Sequence, residues 1–179
     1  MSNYQSRIKD MVLISLFAAM IAVSSYITIP IPLVPITAQT LVIMLSGSIL
    51  NTFQSASSVL IYLMLGAVGL PVFAKGTSGL GVLFGATGGY LFGFLLAVII
   101  INLIKGNTNN IFRLAAANLI GGVAVVYAIG VPWLAVMTGM GLAKAFAAGA
   151  LYFIAGDIIK VILATVIGYA INKRLKYII

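Results

Sequence analysis

Apolar residues run along this chain in near-continuous blocks, each closed by a short cluster of proline, glycine or amide residues. At ~20 residues per membrane span, the blocks predict about six transmembrane helices. The first block covers residues 11–29 and stops at Pro30-Ile31-Pro32-Leu33-Val34-Pro35. Three prolines in six residues cannot continue a helix and predict an extended turn. A second block, 36–50, ends at Asn51-Thr52-Phe53-Gln54-Ser55, and a third covers 56–65. Residues 66–89 are then dense in glycine. They are too broken for a helix, and Pro71 with its apolar neighbours makes them too ordered for a free linker. Connections this long are usually functional.

The fourth block, 90–104, closes on a polar cluster from Lys105 to Asn110. The fifth runs over 111–129, with Arg113 at its start and Asn118 inside it. A second interrupted stretch, 130–141, contains Gly130-Val131-Pro132-Trp133. The sixth starts within 144–151 and closes at Lys173-Arg174-Leu175-Lys176. No internal repeat of useful period is visible. The expected organisation is one all-α transmembrane domain over residues 1–179, with a Gly-rich outer loop between helices 3 and 4.

Composition identifies the solvent. Of 179 residues, 63% are hydrophobic and 7% charged, and mean hydropathy is +1.22. Soluble domains carry about 25% charged residues, so these helices are expected in a lipid bilayer. A net charge of +8 does not point to nucleic acid. The Lys and Arg residues stand singly or at the ends of apolar blocks, without a basic face interleaved with aromatics. Instead they set orientation. Arg7 and Lys9, Lys105 and Arg113, and the cluster Lys173, Arg174 and Lys176 all fall on one side of a six-span chain. Only Lys75 and Lys144 fall on the other. Basic residues favour the cytoplasmic side, so both termini of this multi-pass protein are expected inside the cell membrane. The proline turn, the Gly-rich stretch and residues 130–141 then gather outside. The first block is expected to be a span rather than a cleaved leader, being long for a leader and lacking a small-residue cleavage pattern.

Several chemistries are excluded. The chain has no Cys and no His, which removes disulfides, thiol nucleophiles, a histidine base and the usual soft-metal ligands. It has no phosphate-binding loop of the Gly-x4-Gly-Lys-[Ser/Thr] type, and the Gly-rich stretch does not follow a strand as a dinucleotide fingerprint would. Neither an enzyme nor a metal or cofactor site is expected.

What remains is one acid and one base inside the sixth block, Asp157 and Lys160. Three residues apart on a helix, they share a face. Isolated charges at membrane depth cost about 2.5–3.5 kcal/mol each on insertion scales. Three roles suit the pair: mutual neutralisation that pins a helix, a proton relay, or a polar clamp on a buried ligand. The clamp is favoured, because Asp157 is the only acid beyond residue 10. Gln39 with Thr37 and Thr40, Tyr90 after Thr87-Gly88-Gly89, and Asn118 are the other polar side chains at depth. An amide in such a helix either bonds a neighbouring helix or meets a ligand. Trp133 and Phe73 are interfacial anchors or an apolar wall over a ligand. In the first block, Ser15/Ala19 and Ala18/Ala22 have the small-xxx-small spacing that lets another helix approach closely.

At these residues the chain resembles the BioY family, the biotin-specific substrate-binding subunits of energy-coupling-factor transporters. The resemblance covers nearly the whole length. It is carried by residues 30–37 with Gln39 and Thr40, by Gly66-Ala67-Val68-Gly69-Leu70-Pro71-Val72-Phe73, and by Thr87-Gly88-Gly89-Tyr90 with Gly93. Gly130-Val131-Pro132-Trp133 and Gly156-Asp157-x-x-Lys160 complete it. The chain departs at Ala86 and Ala155, where the family commonly has proline. The resemblance implies six helices, capture of biotin from outside, and docking on a transmembrane coupling subunit driven by two ATPase subunits. The Ala18/Ala22 face matches the family's docking surface, and the chemistry of biotin makes Asp157 and Lys160, then Gln39, Tyr90 and Asn118, the expected contacts. Two placements of biotin stay open. Either Asp157 and Lys160 grip the ureido ring, or Lys160 takes the carboxylate. The alternative to an ATP-driven importer subunit is a stand-alone secondary carrier, proton-coupled through Asp157.

Overall fold

Leu50 closes one helix and Asn51 caps the start of the next. Its side chain accepts from the Gln54 backbone N–H at 2.8 Å, and the Gln54 side chain accepts from the Asn51 N–H at 3.2 Å. This reciprocal capping box starts α3 (Thr52–Ala67) directly after α2 (Gln39–Ile49), separating the second and third apolar blocks. A computed structural model describes residues 3–29, 33–107 and 110–178. Helix α1 spans Asn3–Ser24. Beyond α3, one turn of 3-10 helix (Ala74–Gly76) and one of α-helix (Leu80–Leu83) punctuate the Gly-rich segment. Helix α4 is Gly88–Lys105. Helix α5 covers Ile111–Thr138, α6 covers Leu142–Leu151 and α7 is Ile154–Ile178.

Three helices are long and apolar enough to cross a membrane among the described residues: Gly88–Lys105, Ile111–Thr138 and Ile154–Arg174. Their large apolar side chains are not all turned inward. Leu96, Leu103, Leu119, Ile162 and Val166 are exposed, as expected where lipid rather than water faces the bundle. Inside, Ile21, Ile43, Met44, Tyr62, Ile101 and Leu134 are fully or almost fully buried.

Two expectations change. The proline turn is closed by a short antiparallel ribbon, β1 (Thr28–Ile29) against β2 (Ile36–Thr37), with Thr28 opposite Thr37. Its Pro30–Pro32 portion lies outside the described residues, as do Thr108 and Asn109 of the polar cluster after the fourth block. Residues 130–138 are not an interrupted stretch but the last turns of α5, with Pro132 inside the helix. Proline removes one N–H from the ladder, yet neighbouring structure holds the backbone on either side. Trp133 Nε1–H donates to the Gly85 carbonyl at 2.9 Å, and its ring lies 5.7 Å from that of Phe92. On the buried face a Cβ at Gly130 would stand 2.5 Å from the Tyr90 ring, so glycine is what permits α4 and α5 to close at this level. The helix stops where Gly139 takes a left-handed conformation, φ 69°, and its N–H returns to the Ala135 carbonyl.

Helix α2 has 11 residues, or about 16 Å at 1.5 Å per residue, too short to cross the apolar layer alone. Its last carbonyls therefore end inside the bundle, where they must find donors. Lys105, which the sequence places among the loop cations, supplies them. Its Nζ donates to the carbonyls of Gly47, Ser48 and Leu50 at 2.8, 3.0 and 2.7 Å. A cation is favoured at a helix C-terminus. Asn172 adds a bond to Ser48 O at 2.9 Å.

Candidate functional site

The other end of α2 meets the N-terminal half of α7, and the polar residues converge there. Asp157 lies in the first turn of α7, where a negative charge is favoured, and is only 4% exposed. Lys160 follows on the same face, with Nζ 3.0 Å from Asp157 Oδ1. The same ammonium donates to Thr37 O and Thr40 Oγ1, both at 2.8 Å. An ammonium has three donors, and each has an acceptor. Thr40 Oγ1 lies 3.5 Å from Asp157 Oδ1 and donates weakly to it. The second carboxylate oxygen accepts from the Tyr127 hydroxyl. Thus α2, α5 and α7 are tied together through one buried carboxylate.

These groups line one side of a cavity of about 350 Å³. Gln39 lines it next to them, with Nε2 donating to the Tyr62 hydroxyl at 2.5 Å and Oε1 accepting from Thr37 Oγ1 at 3.2 Å. Tyr90 lines it from α4, its hydroxyl fixed to the Gly149 carbonyl at 2.9 Å. The walls between are apolar, chiefly Leu91, Phe94, Val126 and Phe153. Phe73 closes the wall beneath the Gly-rich segment; it is 1% exposed and packs edge-on against Tyr62. A mostly apolar pocket with a few converging polar groups is the form a small-molecule site takes.

Of the residues singled out in the sequence, Asp157, Lys160, Gln39 and Tyr90 border this cavity. Asn118 does not. It is fully buried deeper in the bundle, where its Oδ1 accepts from Ser48 Oγ at 3.0 Å and its Nδ2 donates to Thr165 Oγ1 at 3.1 Å. Both functions of the amide are spent on joining α2, α5 and α7. Ala18 is 2% exposed and Ala22 half-buried against the core, so that pair faces into the protein. The small pair left uncovered on α1 is Ser15/Ala19.

Among the cavity residues that the sequence reading did not single out are Tyr127 and Lys75. Tyr127 sits inside an apolar block and counts as apolar there. The signal was its depth, because membrane tyrosines concentrate at the interfaces rather than mid-helix. Lys75 counted only toward orientation, yet it lines the cavity too.

Comparison with known proteins places this geometry in a familiar setting. A family model described as the BioY family matches residues 1–177. The "Biotin transporter BioY" of Rhizobium etli is 38% identical over 177 residues, covering 91% of this chain and 92% of that protein. The "Biotin transporter BioY" of Thermotoga maritima is 35% identical over 165 residues, covering 92% and 96%. Among solved structures, the S-component for biotin from an ECF-type ABC transporter superposes with a TM-score of 0.89 at 31% identity, covering 97% of this chain and 95% of that one.

Proposed function

The chain belongs to the BioY family, and from that premise we propose that it captures biotin at the outer face of the cell membrane for an energy-coupling-factor importer. The observation that carries the reading is the cavity where Asp157, Lys160, Thr40 and Gln39 meet apolar walls. Biotin asks for that combination. Its ureido ring offers two N–H donors and one carbonyl acceptor, and its thiophane ring and tail are apolar. Asp157 accepts and Lys160 donates, so the pair suits the ureido group, with Gln39 and Tyr90 completing the polar lining. Asn118 then serves as the lock that keeps α2 and α7 in register around the site.

The proposed arrangement is a single transmembrane binding domain of six membrane helices, counting the short α2 and taking α6 with α7. Both termini lie in the cytoplasm, following the basic clusters at Arg7 and Lys9 and at Lys173 and Arg174. The cavity then opens outward, and the Gly-rich segment 68–87 covers it. A transmembrane coupling subunit and two ATPase subunits would drive release, since this chain has no nucleotide-binding motif of its own. Helix α1 is the proposed docking element through its uncovered Ser15/Ala19 face, with Ala18 and Ala22 packed behind it.

Titration calorimetry of the purified protein with biotin tests the reading, with riboflavin and thiamine as controls. Tight biotin binding that Asp157→Asn and Lys160→Met each abolish is expected. A folded wild-type protein that ignores biotin would remove the assignment.

A further inference from the structure

The charged groups of the cavity sit at its two ends. Asp157 and Lys160 form the buried end, and Lys75 stands exposed at the mouth. No acid other than Asp157 lines the cavity. The inner pair cancels, so the lining carries one net positive charge, and it is at the mouth.

The inner ammonium is a poor partner for a ligand carboxylate. Its three N–H groups already have acceptors in Asp157, Thr37 and Thr40. Any incoming acceptor has to displace one of them, and a neutral ureido oxygen can do so, but a carboxylate would then stand beside the Asp157 carboxylate, a like charge in a low-dielectric site. Lys75 meets no such conflict.

Its backbone points the same way. Lys75 has φ 60° and ψ 23°, and only one other non-glycine residue among the described ones, Leu33, has a positive φ. Glycine would adopt this conformation without strain. The turn that imposes it is firmly held: Phe73 N–H donates to Thr77 O and Gly76 N–H to Phe73 O, both at 3.0 Å. Buried Phe73 anchors the turn from below, and Ser25 Oγ reaches its carbonyl at 3.3 Å. The turn therefore fixes the lysine stem at the cavity mouth, and the long side chain can sweep across it.

We infer that Lys75 is the carboxylate-recognising residue of this cavity, so that its ligand lies with a neutral polar head on Asp157 and Lys160 and its acid group toward Lys75. The inference rests on the proposed biotin site and specifies which end of the ligand goes where. It also makes selectivity for a monoanion a property of the loop rather than of the helices.

The test compares biotin with its methyl ester on the purified protein by calorimetry, for wild type, Lys75→Gly, Lys75→Arg and Lys144→Ala. Glycine relieves the left-handed strain, so Lys75→Gly removes the charge without threatening the turn. Lys144 is an outer, exposed cation that does not line the cavity, and its loss controls for net charge. In Lys75→Gly, biotin affinity is expected to fall roughly two- to fivefold, the scale of an exposed ion pair. The ester should bind this variant and wild type alike, and wild type should prefer biotin to the ester by the same factor. Lys75→Arg and Lys144→Ala should keep the preference, and added salt should shrink it. Equal losses for acid and ester in Lys75→Gly, or no loss for either, would overturn the role of Lys75 while leaving biotin binding in place. Wild-type protein that binds neither ligand would overturn the biotin reading and this inference together.

Discussion

Lys160→Met keeps the length of the side chain and deletes its charge, so it isolates what the ammonium does for Asp157. In the native protein the carboxylate is 4% exposed and receives three groups: the ammonium at 3.0 Å, the Thr40 hydroxyl at 3.5 Å and the Tyr127 hydroxyl. The variant leaves only the two neutral donors. Removing one partner of a buried ion pair costs about 3–5 kcal/mol, because the other charge stays desolvated. The two hydroxyls place the loss at the lower end of that range. A 179-residue chain shifts its midpoint by roughly 2–4 °C per kcal/mol, so the melting temperature should fall by about 6–12 °C. The Thr37 carbonyl also loses its donor, which adds to the loss.

The diagnostic comparison is with Asp157→Asn/Lys160→Met. Removing both charges abolishes the stranded carboxylate, so the double variant should recover most of the stability that the single one loses. Thermal unfolding of all variants in one detergent, followed by intrinsic fluorescence, provides the cycle. Biotin binding should be absent from every variant and present in the wild type. If Lys160→Met melts with the wild type, or if the double variant loses the sum of the single losses, the two residues do not compensate each other. The buried pair would then have to be explained by ligand binding alone.

Tyr127→Phe should destabilise through Asp157 as well. A hydrogen bond to a charged group contributes about 1.5–3 kcal/mol, so a midpoint drop of roughly 3–12 °C is expected. Saturating biotin should restore part of it, because a ureido N–H can take the oxygen that Tyr127 releases. Asn118→Leu strands two buried hydroxyls, Ser48 and Thr165, and should lower the melting temperature by roughly 4–24 °C. Calorimetry on its folded fraction should return the wild-type biotin affinity, since Asn118 does not touch the cavity. Lys105→Met withdraws the donor from three carbonyls at the end of α2 and should destabilise by more than Asn118→Leu in the same unfolding assay. Lys105→Arg should recover part of that loss, since a guanidinium also offers several donors.

The charged end of the cavity was legible because charge in an apolar block stands out. Asp157 and Lys160 announce themselves by residue type, and their spacing gives the shared face. Asn118 sends the same kind of signal and turns out to join helices, and sequence has no means of separating the two. What decides is the length of α2. A helix that ends after 11 residues leaves carbonyls in the interior, and a network of Lys105, Asn172, Ser48 and Asn118 grows around that end. The boundaries of an apolar run do not reveal this, because residues 36–50 look long enough to go further. Pro132 misled for a related reason. Proline ends helices where water can take the freed carbonyl, whereas in an apolar bundle continuing the helix leaves fewer polar groups exposed to lipid. The inward turn of Ala18 and Ala22 shows the limit of the small-xxx-small pattern. Ser15/Ala19 and Ala18/Ala22 both satisfy it on one helix, and only packing selects the uncovered pair.

Satisfaction of the polar groups in the cavity bears directly on selectivity. Among the described residues, no buried side-chain nitrogen or oxygen lacks a hydrogen-bond partner. A ligand entering this cavity therefore exchanges hydrogen bonds more than it adds them. Exchange is nearly neutral for a ligand that returns every bond it displaces, leaving the burial of its apolar surface as net gain. For a ligand that displaces the Tyr127 hydroxyl or one Lys160 N–H and offers nothing back, each stranded group costs about 1–3 kcal/mol. A ureido ring can return both kinds of bond, since it donates twice and accepts once. A purely apolar ring of the same size can return neither. Discrimination then comes from the penalty on wrong ligands rather than from unusual strength toward the right one. This also resolves why a membrane helix tolerates two charges at depth: Asp157 and Lys160 satisfy each other at every stage at which the ligand does not.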